Sequence, residues 1–190
     1  MSVLAQRRMT VDQFLVWAEG QDGRWELHNG VPYAMAAERT RHIEVKYAVH
    51  AALLQGVRKA GLRCHILGDG ASVRVSQHVL YEPDALVYCG RKLPGDSIEV
   101  PNPVIVVEVA SPSTRNLDVS LKLNGYFSLP SVHHYLIVDP EGPPVIHHSR
   151  RAEGPILTSI VHEGVLSLTP PGIELDVAEI FPPASEAAGE

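Results

Sequence analysis

Apolar residues recur at helical spacing in three segments of the chain. The longest segment, residues 40–60, is predicted to be a major packing helix. Residues 117–128 form a second predicted helix, and residues 10–19 form a short first one. The expected buried stripe of the longest helix consists of Ile43, Tyr47, Ala51, Leu54 and Val57.

Between these helices the pattern changes to short runs of branched and aromatic residues, which are typical of β-strands. The dipeptide Asn29-Gly30 separates two such runs and predicts a hairpin with a type I′ turn, with Pro32 at the edge of a sheet. Further strands are predicted at residues 62–67, 71–75, 81–89, 104–110, 133–138, 145–148, 156–162 and 165–168. The last three of these runs are expected to form a terminal β-meander.

The order of the elements predicts an α/β fold with a central mixed β-sheet flanked by helices and an additional β-meander. The chain has 190 residues, which is long enough to bury a core without disulfides or metals as staples. We expect one domain over residues 1–181. Residues 182–190, rich in Ala and Glu, are expected to form a disordered tail.

The composition is that of an ordinary globular protein, with 45% hydrophobic and 20% charged residues. Cys64 and Cys89 are too few for a disulfide framework and lack a C-x-x-C spacing, so we expect two buried free thiols in a reducing compartment. The N-terminal residues lack the apolar core of a signal peptide, and no apolar run approaches the roughly 20 residues that span a bilayer. These features predict a cytoplasmic protein without membrane contact.

The formal net charge of −6 bears on the choice of partner. Phosphate contacts supply much of the affinity of proteins for nucleic acid, so an acidic chain is not expected to bind nucleic acid tightly and nonspecifically. A local basic patch or bound divalent cations can still act against the overall sign.

One carboxylate interrupts the most apolar run of the chain. Glu108 lies in the predicted strand VIVVEVA, on the same strand face as Val104 and Val106. An ionised carboxylate among such neighbours costs several kcal/mol unless a cation compensates its charge. Glu108 therefore predicts a bound metal ion or a nearby basic side chain.

Two further residues fit a metal-dependent reaction. Asp84 follows Pro83 at the head of another apolar run, and carboxylates at adjacent strand ends can chelate a hard cation such as Mg²⁺. Such a metal polarises a phosphodiester and activates a bound water, while a lysine can stabilise the developing charge. Lys122, on the second predicted helix, is the candidate lysine.

Each of these two residues also has an ordinary structural explanation. Pro83-Asp84 is a common turn dipeptide. Lys122 and Asp118, one helical turn apart, could form an exposed ion pair worth a few tenths of a kcal/mol. The spacing of the residues alone does not decide between the explanations.

Several short motifs in a fixed order strengthen the interpretation as a metal site. They are Trp25-Glu26-Leu27 with Asn29-Gly30, His42, Pro83-Asp84-Ala85, Val107-Glu108-Val109 followed by Ala110-Ser111-Pro112-Ser113-Thr114, Asp118 with Lys122 and Tyr126, and Tyr135-Leu136-Ile137-Val138-Asp139-Pro140. Together they resemble the PD-(D/E)xK nuclease superfamily with its restriction-endonuclease-like fold, in particular a bacterial branch named after restriction endonucleases. The resemblance covers residues 10–181, nearly the whole chain.

The resemblance implies a divalent-metal-dependent endonuclease in which Asp84 and Glu108 hold Mg²⁺ or Mn²⁺ and Lys122 is the catalytic lysine. In the wider superfamily the lysine lies two positions after the glutamate, where this chain has Ala110. In the branch the lysine lies on the following helix, and Lys122 satisfies that pattern. The implied substrate is nucleic acid, DNA in preference to RNA. Cleavage of both strands implies a homodimer, with the hairpin or the terminal strands as contact surface.

Three further residues are candidates for the same cleft. Glu26 is either a third carboxylate of the site or the partner of an arginine on a half-exposed hairpin. His42 contacts phosphate or water, or it is a solvated residue at a helix N-terminus. Tyr126 is expected to pack with its hydroxyl at the surface, and the alternative is a hydrogen bond to the carboxylates.

Other kinds of site find less support. The pairs His133-His134 and His147-His148 lie on predicted strands, so the members of each pair point to opposite faces, and no Cys or His spacing matches a structural zinc site. The sequence has neither a P-loop nor a G-x-S-x-G nucleophile elbow. The main rival to an active nuclease is a catalytically weak or inactive binding or regulatory module on the same scaffold, because a fold alone does not fix a function.

Overall fold

The computed structural model describes residues 8–110 and 118–181, with side chains in the second range from residue 120 onward. The predicted tail at residues 182–190 and the polar loop at residues 111–114 lie outside the described residues. The helices are α1 (Val11–Ala18), α2 (Thr40–Lys59), α3 (Asp118–Ser128) and α4 (Val177–Ile180). The three predicted helices are confirmed, and α4 is an additional short one.

Twelve strands are present in the described part of the chain. They are β1 (Trp25–His28), β2 (Val31–Ala34), β3 (Cys64–Gly68), β4 (Val73–Ser76), β5 (Val79–Tyr81), β6 (Ala85–Cys89), β7 (Ile105–Val109), β8 (His134–Val138), β9 (Val145–Ser149), β10 (Leu157–Val161), β11 (Val165–Leu168) and β12 (Ile173–Asp176). Six of them form a central sheet in the order β10-β9-β8-β7-β6-β3, in which β7 and β8 are parallel and the other neighbours antiparallel. The predicted α/β class with a mixed sheet is therefore confirmed.

The remaining strands form two smaller sheets. One has four strands in the order β2-β1-β5-β4, and the other pairs β11 with β12. The predicted meander is wrong at its last strand, because β11 pairs with β12 while β9 and β10 extend the central sheet. Asn29 and Gly30 have φ angles of 50° and 83°, as a type I′ turn requires, and Pro32 lies on the edge strand β2 as predicted.

Helix α2 buries a different face from the one predicted. Ile43 is 40% exposed, Tyr47 is 73% exposed and Ala51 is also exposed, so three of the five positions of the predicted stripe are wrong. The buried face carries Val45 and Val49, which join the hydrophobic core under the central sheet, and it includes the charged Lys46. Because a lysine interrupts this face, the sequence pattern favoured the neighbouring one.

The expectation of two free thiols was also wrong. Cys64 on β3 and Cys89 on β6 are direct partners in the antiparallel register, and they form a disulfide. Their separation of 25 positions matches no motif, since the pairing depends on strand register. The cysteines therefore no longer support the prediction of a reducing compartment. Within residues 8–110 and 118–181, no helix combines the length and the apolar character needed to cross a membrane.

Helices α2 and α3 pack on opposite faces of the central sheet, and the direction of the Glu108 side chain decides which helix can contact it. Val107 and Val109 belong to the core cluster that contains residues of α2, whereas Val106 belongs to the cluster that contains Tyr126 of α3. Because side chains alternate along a strand, Glu108 projects to the same side as Val106. Residues of α3 can therefore contact it.

Gly125 permits a close approach between α3 and the four-stranded sheet. A Cβ atom at this position would lie 2.8 Å from Cε2 and 3.2 Å from the hydroxyl oxygen of Tyr81. Tyr81 is buried, so its ring has little room to move aside. On the same helix, Nζ of Lys122 lies 5.4 Å from the centre of the Tyr81 ring.

Gly125→Ala should lower the free energy of unfolding by about 1–3 kcal/mol, the usual cost of overpacking. The sign of this change is informative. Alanine is intrinsically about 1 kcal/mol better than glycine inside a helix, so the substitution would stabilise the protein if no clash occurred. Asn124→Ala, at an exposed position of α3, is the control and should be neutral or slightly stabilising. Urea unfolding followed by circular dichroism measures both changes. A Gly125→Ala protein as stable as the wild type would show that α3 can shift without cost.

Candidate active site

Asp84 and Glu108 lie at neighbouring positions of two adjacent strands. The antiparallel register of β6 and β7 pairs Ala85 with Val107. Asp84 immediately precedes β6 and Glu108 follows Val107, so the two residues occupy the next position of the same register. Asp84 is 7% exposed and Glu108 is partly buried. Two carboxylates thus lie close together near the end of the central sheet.

Glu108 is held by two side chains of α3. Nζ of Lys122 donates a hydrogen bond to Glu108 Oε1 at 3.0 Å, and the Tyr126 hydroxyl donates to the same oxygen at 2.6 Å. Lys122 and Tyr126 are four residues apart and therefore share one helical face. Tyr126 is fully buried, so the expectation that its hydroxyl lies at the surface was wrong.

Lys122 also binds a third carboxylate. Its Nζ lies 2.9 Å from Glu26 Oε1, and Glu26 is fixed further by His28 Nε2 at 2.8 Å and by the backbone N–H of Glu82 at 2.8 Å. Lys122 and Glu26 are each 5% exposed, which rules out an exposed helical ion pair for the lysine and an arginine-paired, half-exposed hairpin position for Glu26. The hairpin strand β1 and helix α3 thus meet at Lys122.

Asp84 has a separate set of partners. Lys46 Nζ lies 2.7 Å from Asp84 Oδ1, and the backbone N–H of Val109 donates to Oδ2 at 2.6 Å. His42 Nε2 lies 3.8 Å from Oδ2. His42 is 9% exposed, so the view of it as a solvated residue at the helix N-terminus was wrong.

Lys46 is the main site residue that the sequence did not reveal. It contacts Glu38 as well as Asp84, and it donates to Asp69 at 2.8 Å. Its spacing of four residues from His42 on α2 was visible, but the predicted stripe of that helix was displaced and left Lys46 on the exposed side. Glu38 lies just before the helix, in a segment without periodic pattern. No pattern in the sequence therefore indicated that Glu38 would contact Lys46.

Oxygen and nitrogen donors converge beside Asp84. Glu38, His42 and Asp84 each offer one potential ligand atom, and these atoms lie within 4.8 Å of one another. Carboxylate oxygens are the donors that hard divalent cations prefer, and imidazole is a common ligand of transition metals. The donor set around Asp84 therefore fits a divalent cation.

The carboxylates on either side of Lys122 differ in acidity. Burial raises the pKa of Glu108 to about 8 against the opposing charge of Lys122, and the charges of Asp84 and Glu26 add to the rise. Although burial acts in the same way on Glu26, its hydrogen bond with His28 and the charge of Lys122 lower the pKa of Glu26 to about 2. Neighbouring groups whose pKa values are driven apart are suited to different roles in acid–base chemistry.

Lys46 forms an ion pair with Asp84 on the other side of the site, and its charged form is strongly stabilised. Although burial opposes it, the carboxylate of Asp84 raises the pKa of Lys46 to about 12. Burial raises the pKa of Asp84, and the charge of Lys46 opposes that rise. Lys46 therefore supplies a permanent positive charge next to Asp84.

The carboxylates of the site and Lys122 border one cleft of about 980 Å³. Its walls come from the hairpin, the start of α2, the ends of β6 and β7, and helix α3. The proposed site residues that line it are Glu26, His42, Asp84, Glu108 and Lys122. Ala110, where the wider superfamily has its lysine, also lines the cleft. Lys122 thus reaches from α3 into the cleft that a lysine at position 110 would face.

The raised pKa of Glu108 predicts a pH-dependent stability of the metal-free protein. The folded state holds the Glu108 proton more tightly than the unfolded chain, where a glutamate has a pKa of about 4.3, so stability falls between about pH 5 and pH 8. Glutamine does not titrate, so the free energy of unfolding of Glu108→Gln should not show this fall. Relative to the wild type, the variant should therefore become more stable by at least about 1 kcal/mol from pH 5 to pH 8, since one pKa unit is worth about 1.4 kcal/mol.

Urea unfolding at about pH 5 and pH 8, in the presence of EDTA, measures the difference in stability between Glu108→Gln and the wild type. Glu44→Gln, at an exposed position of α2, is the matched control and should give the same difference from wild type at both pH values. A Glu108→Gln difference that does not change with pH would contradict the raised pKa.

Comparisons with known proteins support the fold and the family. A crystal structure of "a putative nuclease belonging to DUF820" from Anabaena variabilis is 15% identical, with a TM-score of 0.70 over 91% of this chain and 97% of that one. "Uncharacterized protein slr1290" from Synechocystis sp. is 25% identical over 148 residues, which is 77% of each chain. The Uma2 family model, described as "Putative restriction endonuclease", matches residues 11–178. This confirms the resemblance predicted from the motifs. Because the match covers most of the 190 residues, the chain belongs to the Uma2 family.

Proposed function

We propose that this protein is a divalent-metal-dependent endonuclease that hydrolyses phosphodiester bonds of nucleic acid in the cleft around Asp84, Glu108 and Lys122. The observation that supports this most is the position of Lys122, whose ammonium lies 3.0 Å from Glu108 although the usual lysine position is taken by Ala110. Membership in a family described as "Putative restriction endonuclease" supports a nuclease function in general.

Asp84 and Glu108 are the residues that would hold Mg²⁺ or Mn²⁺. Both offer carboxylate oxygens directly beyond the last β6–β7 pair, Ala85 and Val107, and Glu38 and His42 add donors beside Asp84. When bound, the cation polarises the phosphodiester and lowers the pKa of a water molecule. Lys46 and the backbone N–H of Val109 keep the Asp84 carboxylate in place.

Lys122 is the residue that would act on the phosphate. Glu26 binds its ammonium on one side and Glu108 on the other, so the group is held at a fixed place in the cleft. Lysine N–H groups aimed at a reacting phosphate stabilise the negative charge that develops there. The Tyr126 hydroxyl orients Glu108 from the same helix.

The substrate and the assembly are the remaining parts of the proposal. We propose DNA as the substrate in preference to RNA, since restriction enzymes cut DNA. We also propose a homodimer, because one site cleaves one strand and two sites offer one cleft to each of two strands.

Asp84→Ala and Lys122→Ala should each lower the rate of cleavage supported by Mg²⁺ or Mn²⁺ by at least about 100-fold, the usual effect of removing one charge-stabilising group. Cleavage rates of DNA and RNA oligonucleotides of the same sequence, read from gels, measure the effect. Lys59→Ala is the matched control, because Lys59 is an exposed lysine at the end of α2, and it should cleave at the wild-type rate.

Circular dichroism should show that both site variants remain folded, because the cost of losing one partner of a buried ion pair could otherwise explain the loss. If folded Asp84→Ala and Lys122→Ala proteins still cleave at the rate of Lys59→Ala, the assignment of the site is wrong.

A binding or regulatory module without catalysis is the second candidate function. It is favoured by the lysine contacts of the site: a lysine already lies against each of Asp84 and Glu108, so these carboxyl groups do not need a metal as their partner. The net charge of −6 points the same way. Metal binding distinguishes this candidate from a nuclease.

Calorimetric titration with Mn²⁺ should detect a site in the wild type that Glu108→Ala weakens by at least about tenfold, since even residues beyond the direct ligands change metal affinity by 10–100-fold. Glu44→Ala is the control for loss of one exposed acidic residue and should bind as the wild type does. Equal Mn²⁺ affinities in wild type and Glu108→Ala would favour the noncatalytic module.

A further inference from the structure

The mouth of the cleft carries an exposed aromatic ring that the proposed reaction does not use. Tyr33 lies on β2, the edge strand of the four-stranded sheet, and is 56% exposed. Its ring centre lies 4.8 Å from that of His28, at an interplanar angle of 56°. One part of the ring is therefore held by His28 while much of the rest remains open to solvent.

A continuous series of contacts links this ring to the carboxylates. His28 Nε2 lies 2.8 Å from Glu26, which accepts a hydrogen bond from Lys122 at 2.9 Å. Lys122 in turn donates to Glu108 at 3.0 Å. Tyr33 thus has a defined position relative to the site, although it stands on an exposed strand.

The wall of the cleft next to Tyr33 is apolar. It consists of Val31, Ala34, Met35 and Ala36 from the hairpin and the segment after it, and Leu121 of α3 adds a side chain that is 47% exposed. The cleft volume of about 980 Å³ is at the upper end of the range for small-molecule sites, so it can take a nucleotide-sized group. An exposed ring beside apolar side chains suits the face of a nucleobase.

Three arginines line the cleft together with its acidic side chains. Arg8, Arg39 and Arg41 line it and are exposed, whereas Glu26 and Asp84 are buried. Arg8 packs on the hairpin turn, where a Cβ atom at Gly30 would lie 2.5 Å from the Arg8 Cβ. Positive charge is therefore available at the mouth for the phosphates of a strand, despite the negative charge of the chain as a whole.

We propose that Tyr33 is a stacking platform for an unpaired nucleobase and that the cleft binds an unpaired strand in preference to a duplex. The inference rests on the proposed nuclease function and specifies the form of nucleic acid that it acts on. In a duplex both faces of a base are covered by its neighbours, so stacking on Tyr33 first requires the base to leave the stack. An unpaired strand avoids that cost. Tyr33 is then a specificity-determining residue outside the reacting groups.

Fluorescence anisotropy of a short labelled DNA strand, alone and annealed to its complement, tests the proposal with Ca²⁺ in place of Mg²⁺ to limit cleavage. Tyr33→Ala should bind the single strand about tenfold more weakly, as expected for the loss of one stacked base, and should bind the duplex nearly as the wild type does. Tyr33→Phe should retain wild-type binding, whereas Tyr33→Leu should behave like the alanine variant because it keeps apolar bulk without a ring.

Tyr47→Ala is the matched control, because Tyr47 is 73% exposed on α2 and is not among the residues that line the cleft. It should bind both forms of DNA as the wild type does. Equal losses for strand and duplex in Tyr33→Ala, or no loss for either, would overturn the proposal. So would unchanged DNA binding together with a shift from dimer to monomer in sedimentation, which would assign the ring to a dimer contact.

The same measurements separate this inference from the function on which it rests. If the wild type binds and cleaves DNA but Tyr33→Ala is indistinguishable from it, only the stacking proposal fails. If the wild type neither binds nor cleaves any strand in Mg²⁺ or Mn²⁺, both proposals fail together.

Discussion

The site depends on one buried ammonium group shared by two carboxylates. Lys122 Nζ lies between Glu26 and Glu108, at 2.9 Å and 3.0 Å. Buried carboxylates repel each other and are costly without a cation, and Lys46 meets the same requirement for Asp84. The two lysines come from helices that pack on different faces of the central sheet, α3 and α2. The fold can therefore keep three buried carboxylates at one cleft because each helix delivers a positive charge to it.

Much of this arrangement was predictable from the sequence, and the missed part has a physical reason. Glu108 was visible because a charge inside an apolar strand demands a partner, whereas its pairing with Asp84 depended on the family resemblance. The position of Lys122 depended on the family resemblance, since its spacing alone also fits an exposed ion pair. Lys46 was missed because it lies on the buried face of α2, where a periodicity argument expects apolar residues. The disulfide depended on strand register, which sequence spacing does not encode.

The distribution of charge in the cleft reconciles an acidic chain with a nucleic-acid substrate. Glu26 and Asp84 are buried and paired with lysines, whereas Arg8, Arg39 and Arg41 line the cleft as exposed side chains. A strand could therefore find positive charge and an exposed aromatic ring on the lining of the cleft. On this account the net charge of −6 limits nonspecific binding to the outer surface without preventing binding in the cleft.

The proposed function requires Asp84 and Glu108 to share one divalent cation. Anomalous X-ray diffraction from crystals grown with Mn²⁺ tests it most directly, because the ion is located by its own scattering. A shared cation should give one peak about 2.1 Å from a carboxylate oxygen of each residue, the distance typical of small hard cations. A peak held by Glu38, His42 and Asp84 without Glu108, or the absence of any peak in the cleft, would contradict it.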